Sequence, residues 1–220
     1  MINAAIFAGR MQSPLNTLVT INVDHARLIG AGGKFAVGHT ADNVKTFMEL
    51  LRKWHQQRGL TFCAIWTRER ADKATNQNRQ AGEHLHLMHH LPPAHREAYL
   101  PQLATWTGVN LQRRVQSSQN GEIARSECST LQVEVCTKGG HTAPRTAAYL
   151  GKDEPNRLNL YRSTRPNPDK PCKRGRMAGT GGRIEGKRYG ISTAIHTKAQ
   201  SLAGFTPHSV SELARIVYRS

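Results

Sequence analysis

Two extended stretches, residues 60–70 (LTFCAIWTRER) and 83–91 (EHLHLMHHL), flank a polar, turn-like connection, ADKATNQNRQAG. Runs of this kind read as a hairpin with a long loop. They stand between two helical signals. Upstream, residues 40–59 place Val44, Phe47, Met48, Leu51 and Trp54 at i, i+3, i+4, i+7 and i+10, with Thr40 as cap and Gly59 as stop. Downstream, residues 92–108 open on prolines and read as a helix broken at Pro101. Further strands are read at residues 16–24 (NTLVTINVD), 131–136 (LQVEVC) and 183–193 (RIEGKRYGIST), and a short helix at 141–155, with Pro144 in its first turn and Pro155 bounding it. The order β-α-β-β-α-β-α-β implies an α+β fold: a ferredoxin-like or RRM-like antiparallel sheet of about five strands with helices packed on it. One domain is expected over residues 1–200, with a basic Pro/Gly-rich loop inserted at about 163–183 and a helical tail at 201–220.

Thirty-one Lys+Arg against fifteen Asp+Glu give the 220-residue chain a formal charge of +16. Such a domain repels itself, and a polyanion is the usual compensation: nucleic acid first, an anionic membrane second. Between Lys138 and Lys198 there are fourteen Lys/Arg and four Asp/Glu, which favours phosphate contact along that segment. No run of eighteen apolar residues is present, so no membrane span is expected. The opening MINAAIFAGRMQSPL does not read as a signal peptide, and a cytoplasmic protein is expected. Cys63, Cys128, Cys136 and Cys172 are scattered with no C-x-x-C pair, which reads as reduced thiols. The glycine-rich LIGAGGKFAVG lacks the phosphate-loop pattern, and no Rossmann fingerprint is present.

Residues 82–93, GEHLHLMHHLPP, concentrate histidine. Eleven histidines in 220 residues give about half an H-x-H pair by chance, so the pair His84/His86 is unspecific by itself. Its setting adds meaning. On a strand, residues i and i+2 share a face, so His84 and His86 project together while Leu85 and Leu87 pack the core. Two imidazoles about 7 Å apart converge on one divalent ion. His89 falls on the core side, and His90 lies next to the Leu91–Pro92 break. Glu69 closes the preceding strand across the hairpin and would complete a site; Glu83 has the wrong parity. Two imidazoles and a carboxylate suit Mg²⁺ or Mn²⁺ with positions open for a phosphate oxygen, and zinc is chemically compatible. In RTAAYLGKDE, Tyr149 and Lys152 share a helix face at i and i+3, behind the small residues Thr146, Ala147 and Ala148. A nearby ammonium and a metal-bound phosphate would favour the phenolate. Of the aromatics, Trp66 and Trp106 read as core, and Tyr189 is open.

Taken in order, WTRE…GEHLHLMHHLP and AAYLGK resemble the rolling-circle replication initiators of the HUH (His-hydrophobe-His) endonuclease superfamily. LVTINVD resembles that family's first strand motif loosely; His84-Leu85-His86 matches the second and Tyr149-Leu150-Gly151-Lys152 the third, Y-x-x-K. GKRYGIS is similar to a G-K-R-x-G-x-S segment of plasmid and phage Rep-like proteins. The likeness spans about residues 16 to 195. Tyr161 lies too far on for a paired-tyrosine pattern, and the order HUH-then-tyrosine differs from conjugative relaxases.

The resemblance implies metal-assisted nicking and joining of single-stranded DNA at an origin hairpin. His84, His86 and Glu69 would hold Mg²⁺ or Mn²⁺. Tyr149 would attack, leaving a 5′-phosphotyrosine link and a free 3′-OH, with Lys152 neutralising charge. Arg157, Arg162, Arg165, Lys173, Arg174, Arg176, Arg183, Lys187 and Arg188 would track the DNA backbone. With no phosphate-loop motif in the chain, a host helicase and a polymerase are expected in trans. Two alternatives remain at this stage: a transposase using the same chemistry, and a basic nucleic-acid-binding module without activity. A zinc-stabilised fold through Cys128, Cys136 and His141 has an unusual spacing.

Overall fold

The strand read at residues 16–24 forms β1 (Thr17–Asn22) and sits inside the sheet of the computed structural model. The structure describes residues 1–23, 26–28, 41–71, 82–109, 111–118, 121–126, 130–136, 142–150, 187 and 189–219; for some of these, Tyr149 among them, only the backbone is described. β1 pairs antiparallel with β3 (Gly82–His89) on one side and with β6 (Leu131–Cys136) on the other. β3 pairs with β2 (Ala64–Ala71), its hairpin partner in sequence. The local order β6-β1-β3-β2, with helices α2 (Ala41–Gln56) after β1 and α3 (Arg96–Thr107) after β3, is the split βαβ arrangement of a ferredoxin-like core.

Among the described residues the sheet has seven antiparallel strands, in the order β4-β5-β6-β1-β3-β2-β7. The additions lie at the edges. β4 (Leu111–Ser118) and β5 (Gly121–Ser126) form a hairpin that the sequence reading passed over, and β7 (Tyr189–Ile191) is a three-residue edge strand. Asn120 followed by Gly121 is the signal that could have found the hairpin, since both residue types favour turns.

α2 and α3 cover one sheet face. Val44, Phe47, Leu51 and Trp54 of α2, with Tyr99, Leu103 and Trp106 of α3, pack on Val19, Ile21, Leu85, Leu87 and Val133. Gly59, at φ 66°, allows the left-handed turn that stops the chain after α2. Pro101 does not break α3, contrary to expectation: the helix continues to Thr107 and ends at Gly108 (φ 62°). Pro101 is exposed, so the carbonyl left without its intrahelical N–H faces water.

Among the described residues, the other face is covered only in part. Helix α1 (Ile2–Arg10), unread in the sequence, packs its Ala4, Ala5 and Ala8 with Ala143, Ala147 and Ala148 of α4 (Thr142–Leu150). The small residues of α4 therefore admit a neighbouring helix. α5 (Thr197–Leu202) and α6 (Val210–Arg219) follow β7, and Phe205 and Val217 from this C-terminal part join the same cluster. Among the described residues, no helix is long and apolar enough to cross a membrane. Thr40, Pro155 and the basic loop at about 163–183 lie outside the described residues, as do Cys128 and His141.

Candidate active site

Strand alternation and register together lay out the half-covered face in three rows. The first is apolar: Leu18, Met88, Ile65 and Ile191 stand side by side across β1, β3, β2 and β7, and pack with α1 and α4. The second is Thr20, His86, Thr67 and Tyr189 in the same strand order. The third is Asn22, His84 and Glu69. The helices cover the first row, and the histidines begin where that apolar cover gives way to polar side chains.

His84 and His86 share this face, with ring centroids 6.3 Å apart and planes within 18° of parallel. Leu85 and Leu87 between and beside them are fully buried on the other side. Glu69 lies directly opposite His84, and its Oε2 is 3.9 Å from Nε2 of His86; the two side chains are 17% and 15% exposed. The Oγ1 of Thr20 is 3.1 Å from Nδ1 of His86. With Nδ1 donating to that hydroxyl, Nε2 is the acceptor nitrogen, on the side of Glu69.

Glu83 is on the opposite face. Its Oε1 accepts from Nε of Arg68, and both side chains are buried. His89 also faces the α2/α3 side, against His55 and Tyr99. Burial pushes its imidazole well below the usual range, and burial likewise lowers His55. His90 lies just beyond β3, with Nδ1 2.8 Å from the carbonyl of Pro14.

Whether the three acidic and imidazole groups suit a divalent ion is testable on their geometry. Two donors at about 2.1 Å from one small ion are at most about 4.2 Å apart, so the 3.9 Å between Glu69 and His86 lies within that span. Among the described residues no three His, Cys, Asp or Glu groups are already gathered around one point. His84, stacked beside His86, is the member that must turn to complete the set. The donor chemistry, two imidazoles and a carboxylate, fits a hard or borderline cation.

α4, which carries Tyr149, packs on this same face and touches β2. The side chain of Tyr149, and all of Lys152, lie outside the described residues. So do Arg157, Arg162, Arg165, Lys173, Arg174, Arg176, Arg183 and Arg188. Lys187 is described and exposed, with Nζ 6.0 Å from the Trp66 ring. Tyr189 is 42% exposed at the end of the His86 row. Trp106 is core, and Trp66 packs against the core in part.

Residues that sequence reading did not single out are Thr20, Asn22 and Thr67. The alternation in TLVTIN was the available signal, because it sets Thr20 and Asn22 on one polar face. A cavity of about 470 Å³ is lined by Lys45, Arg52, Trp66, Arg68 and Lys187 among others; it reaches Ile191 at the sheet edge but includes none of His84, His86 and Glu69. No family model matches the chain, and no curated protein or solved structure matches it.

Proposed function

We propose that this protein is a metal-dependent single-stranded DNA endonuclease and strand transferase, acting through one tyrosine and initiating rolling-circle replication. The observation that carries the reading is the shared sheet face: His84, His86 and Glu69 lie on it, and the helix bearing Tyr149 packs against it beside β2. The net charge of +16 supports a polyanionic substrate.

His84, His86 and Glu69 would hold Mg²⁺ or Mn²⁺. When bound, the ion polarises the scissile phosphate and offsets its charge. Thr20 keeps the His86 ring oriented through Nδ1. Tyr149 attacks phosphorus: a Tyr Oη–P bond forms and the P–O3′ bond breaks. The phenolic proton is lost before attack, and the departing 3′ oxygen takes up a proton to become a 3′-OH. The phosphodiester energy stays in the phosphotyrosine, so attack by a 3′-OH reverses the step and joins strands. Lys152 offsets charge on the phenolate or phosphate. Lys187 and the basic segment from Arg157 to Arg188 follow the backbone, and Tyr189 stands where a base would stack at the sheet edge. A helicase and a polymerase act in trans.

The test is a covalent adduct. The protein is incubated with single-stranded oligonucleotides and Mn²⁺, and the products are run on a denaturing gel. An adduct that Tyr149→Phe abolishes, and that His86→Ala abolishes while leaving DNA binding, is expected. DNA binding with no adduct on any strand would leave a non-catalytic binding module, and an adduct surviving in Tyr149→Phe would remove the tyrosine from the mechanism.

A further inference from the structure

Thr20 and Asn22 are consecutive same-face residues of β1, and each stands directly opposite one of the two histidines: Thr20 opposite His86, Asn22 opposite His84. Thr20 hydrogen-bonds its histidine at 3.1 Å. Asn22 bonds nothing through its side chain. It is 1% exposed, and both Oδ1 and Nδ2 are buried without a partner. Among the described residues the ring of His84 makes no hydrogen bond either, and it stacks on His86.

A buried amide with neither atom paired is costly, and native proteins pair the large majority of buried side-chain polar atoms. An apolar residue of similar size would avoid that cost, so an asparagine at this position points to a partner that arrives later. Directly opposed residues of an antiparallel pair have Cβ atoms about 4.5–5.5 Å apart. At that separation, rotation about the side-chain bonds brings the amide and the imidazole into hydrogen-bond contact. Metal-ligating histidines almost always donate their other ring N–H to a fixed acceptor.

We propose that Asn22 is the positioning residue of His84: when a divalent cation is held, its Oδ1 accepts the ring N–H of His84, as the Thr20 hydroxyl does for His86. This inference rests on the metal reading of His84, His86 and Glu69. It explains two unsatisfied features at once, the orphaned amide and the unanchored ring.

The experiment is Mn²⁺ titration followed by electron paramagnetic resonance, with no DNA present, alongside thermal melting. Asn22→Leu is expected to weaken Mn²⁺ binding about 10–100-fold, with a melting temperature no lower than wild type, because two unpaired buried polar atoms are gone. Asn22→Asp, which keeps an acceptor, is expected to bind at least as tightly as wild type. Wild-type affinity in Asn22→Leu overturns the inference alone, and so does equal weakening in both variants. Should Asn22→Leu melt early, Asn22→Thr decides: affinity near wild type upholds the role, and a tenfold loss overturns it. Absence of Mn²⁺ binding by the wild-type protein overturns the metal reading and this inference with it.

Discussion

Replacing Arg68 with methionine tests what holds the reverse side of the histidine strand. Arg68 is 2% exposed and Glu83 0%, and they form an ion pair across β2 and β3. Glu83 precedes His84 in the strand, so the pair fixes the backbone that presents the site from behind. Nη1 of Arg68 also donates to the carbonyl of Lys187 at 3.2 Å, tying the approach to β7. Arg68→Met keeps most of the side-chain volume but takes the Arg68 guanidinium away from a buried carboxylate. Breaking a buried pair in this way costs about 3–5 kcal/mol. For a domain of this size about 1 kcal/mol corresponds to 2–4 °C, so the melting temperature should fall by about 6–20 °C. The double variant Arg68→Met/Glu83→Leu removes both charges and should recover to within about 1 kcal/mol of wild type. Urea unfolding followed by circular dichroism, with calorimetry in parallel, measures both. A single variant within about 1 kcal/mol of wild type, or a double variant as unstable as the single, would refute the reasoning.

Gly190→Ala should destabilise by about 1–3 kcal/mol and alter tryptophan fluorescence, because an added Cβ would stand 2.5 Å from ring atoms of Trp66; an unchanged unfolding midpoint would show that the indole moves aside freely. His55 and His89 are both depressed by burial, so below about pH 6.5 the unfolded chain binds protons that the folded one does not. Stability should be complete above that pH and fall as pH drops, by up to about 1.4 kcal/mol per pH unit for each histidine; His89→Leu should flatten the decline between pH 6.5 and 5, and an equally steep decline in the variant would exclude His89 as its source. Tyr189→Ala should weaken single-stranded DNA binding about 5–150-fold in chelator, the loss of one stacked base, whereas Tyr189→Phe should bind as wild type; equal binding by all three proteins would take Tyr189 out of the DNA track.

The sheet core was legible because its signals are local. Alternation in residues 16–24, 60–70 and 83–91, and the 3.6-residue period of 40–59, each report burial of one face, and β1, α2, β2 and β3 lie where those periods place them. Helix α1 was not legible as such: its alanines, two isoleucines and phenylalanine form no 3.6-residue stripe, and they pack with α4 and its neighbours. The β4–β5 hairpin was missed because its strands are polar, at the far edge of the sheet. Pro101 misled because exposure of its turn to water depends on how α3 sits on the sheet.

For the site, sequence by itself determined that His84 and His86 share a face, that Glu83 does not share it, and that the chain is strongly basic. These follow from two-residue periodicity and from charge, which need no partner strand. Tertiary structure alone decided the register: Glu69 opposite His84, Thr20 and Asn22 opposite the two imidazoles, Tyr189 two strands from His86, and α4 on the histidine side of the sheet. Register is set by non-local pairing and by which faces helices bury, and a slip of one residue would carry the histidines into the core. The periodicity of a strand says which residues travel together, and the pairing of strands says what they meet.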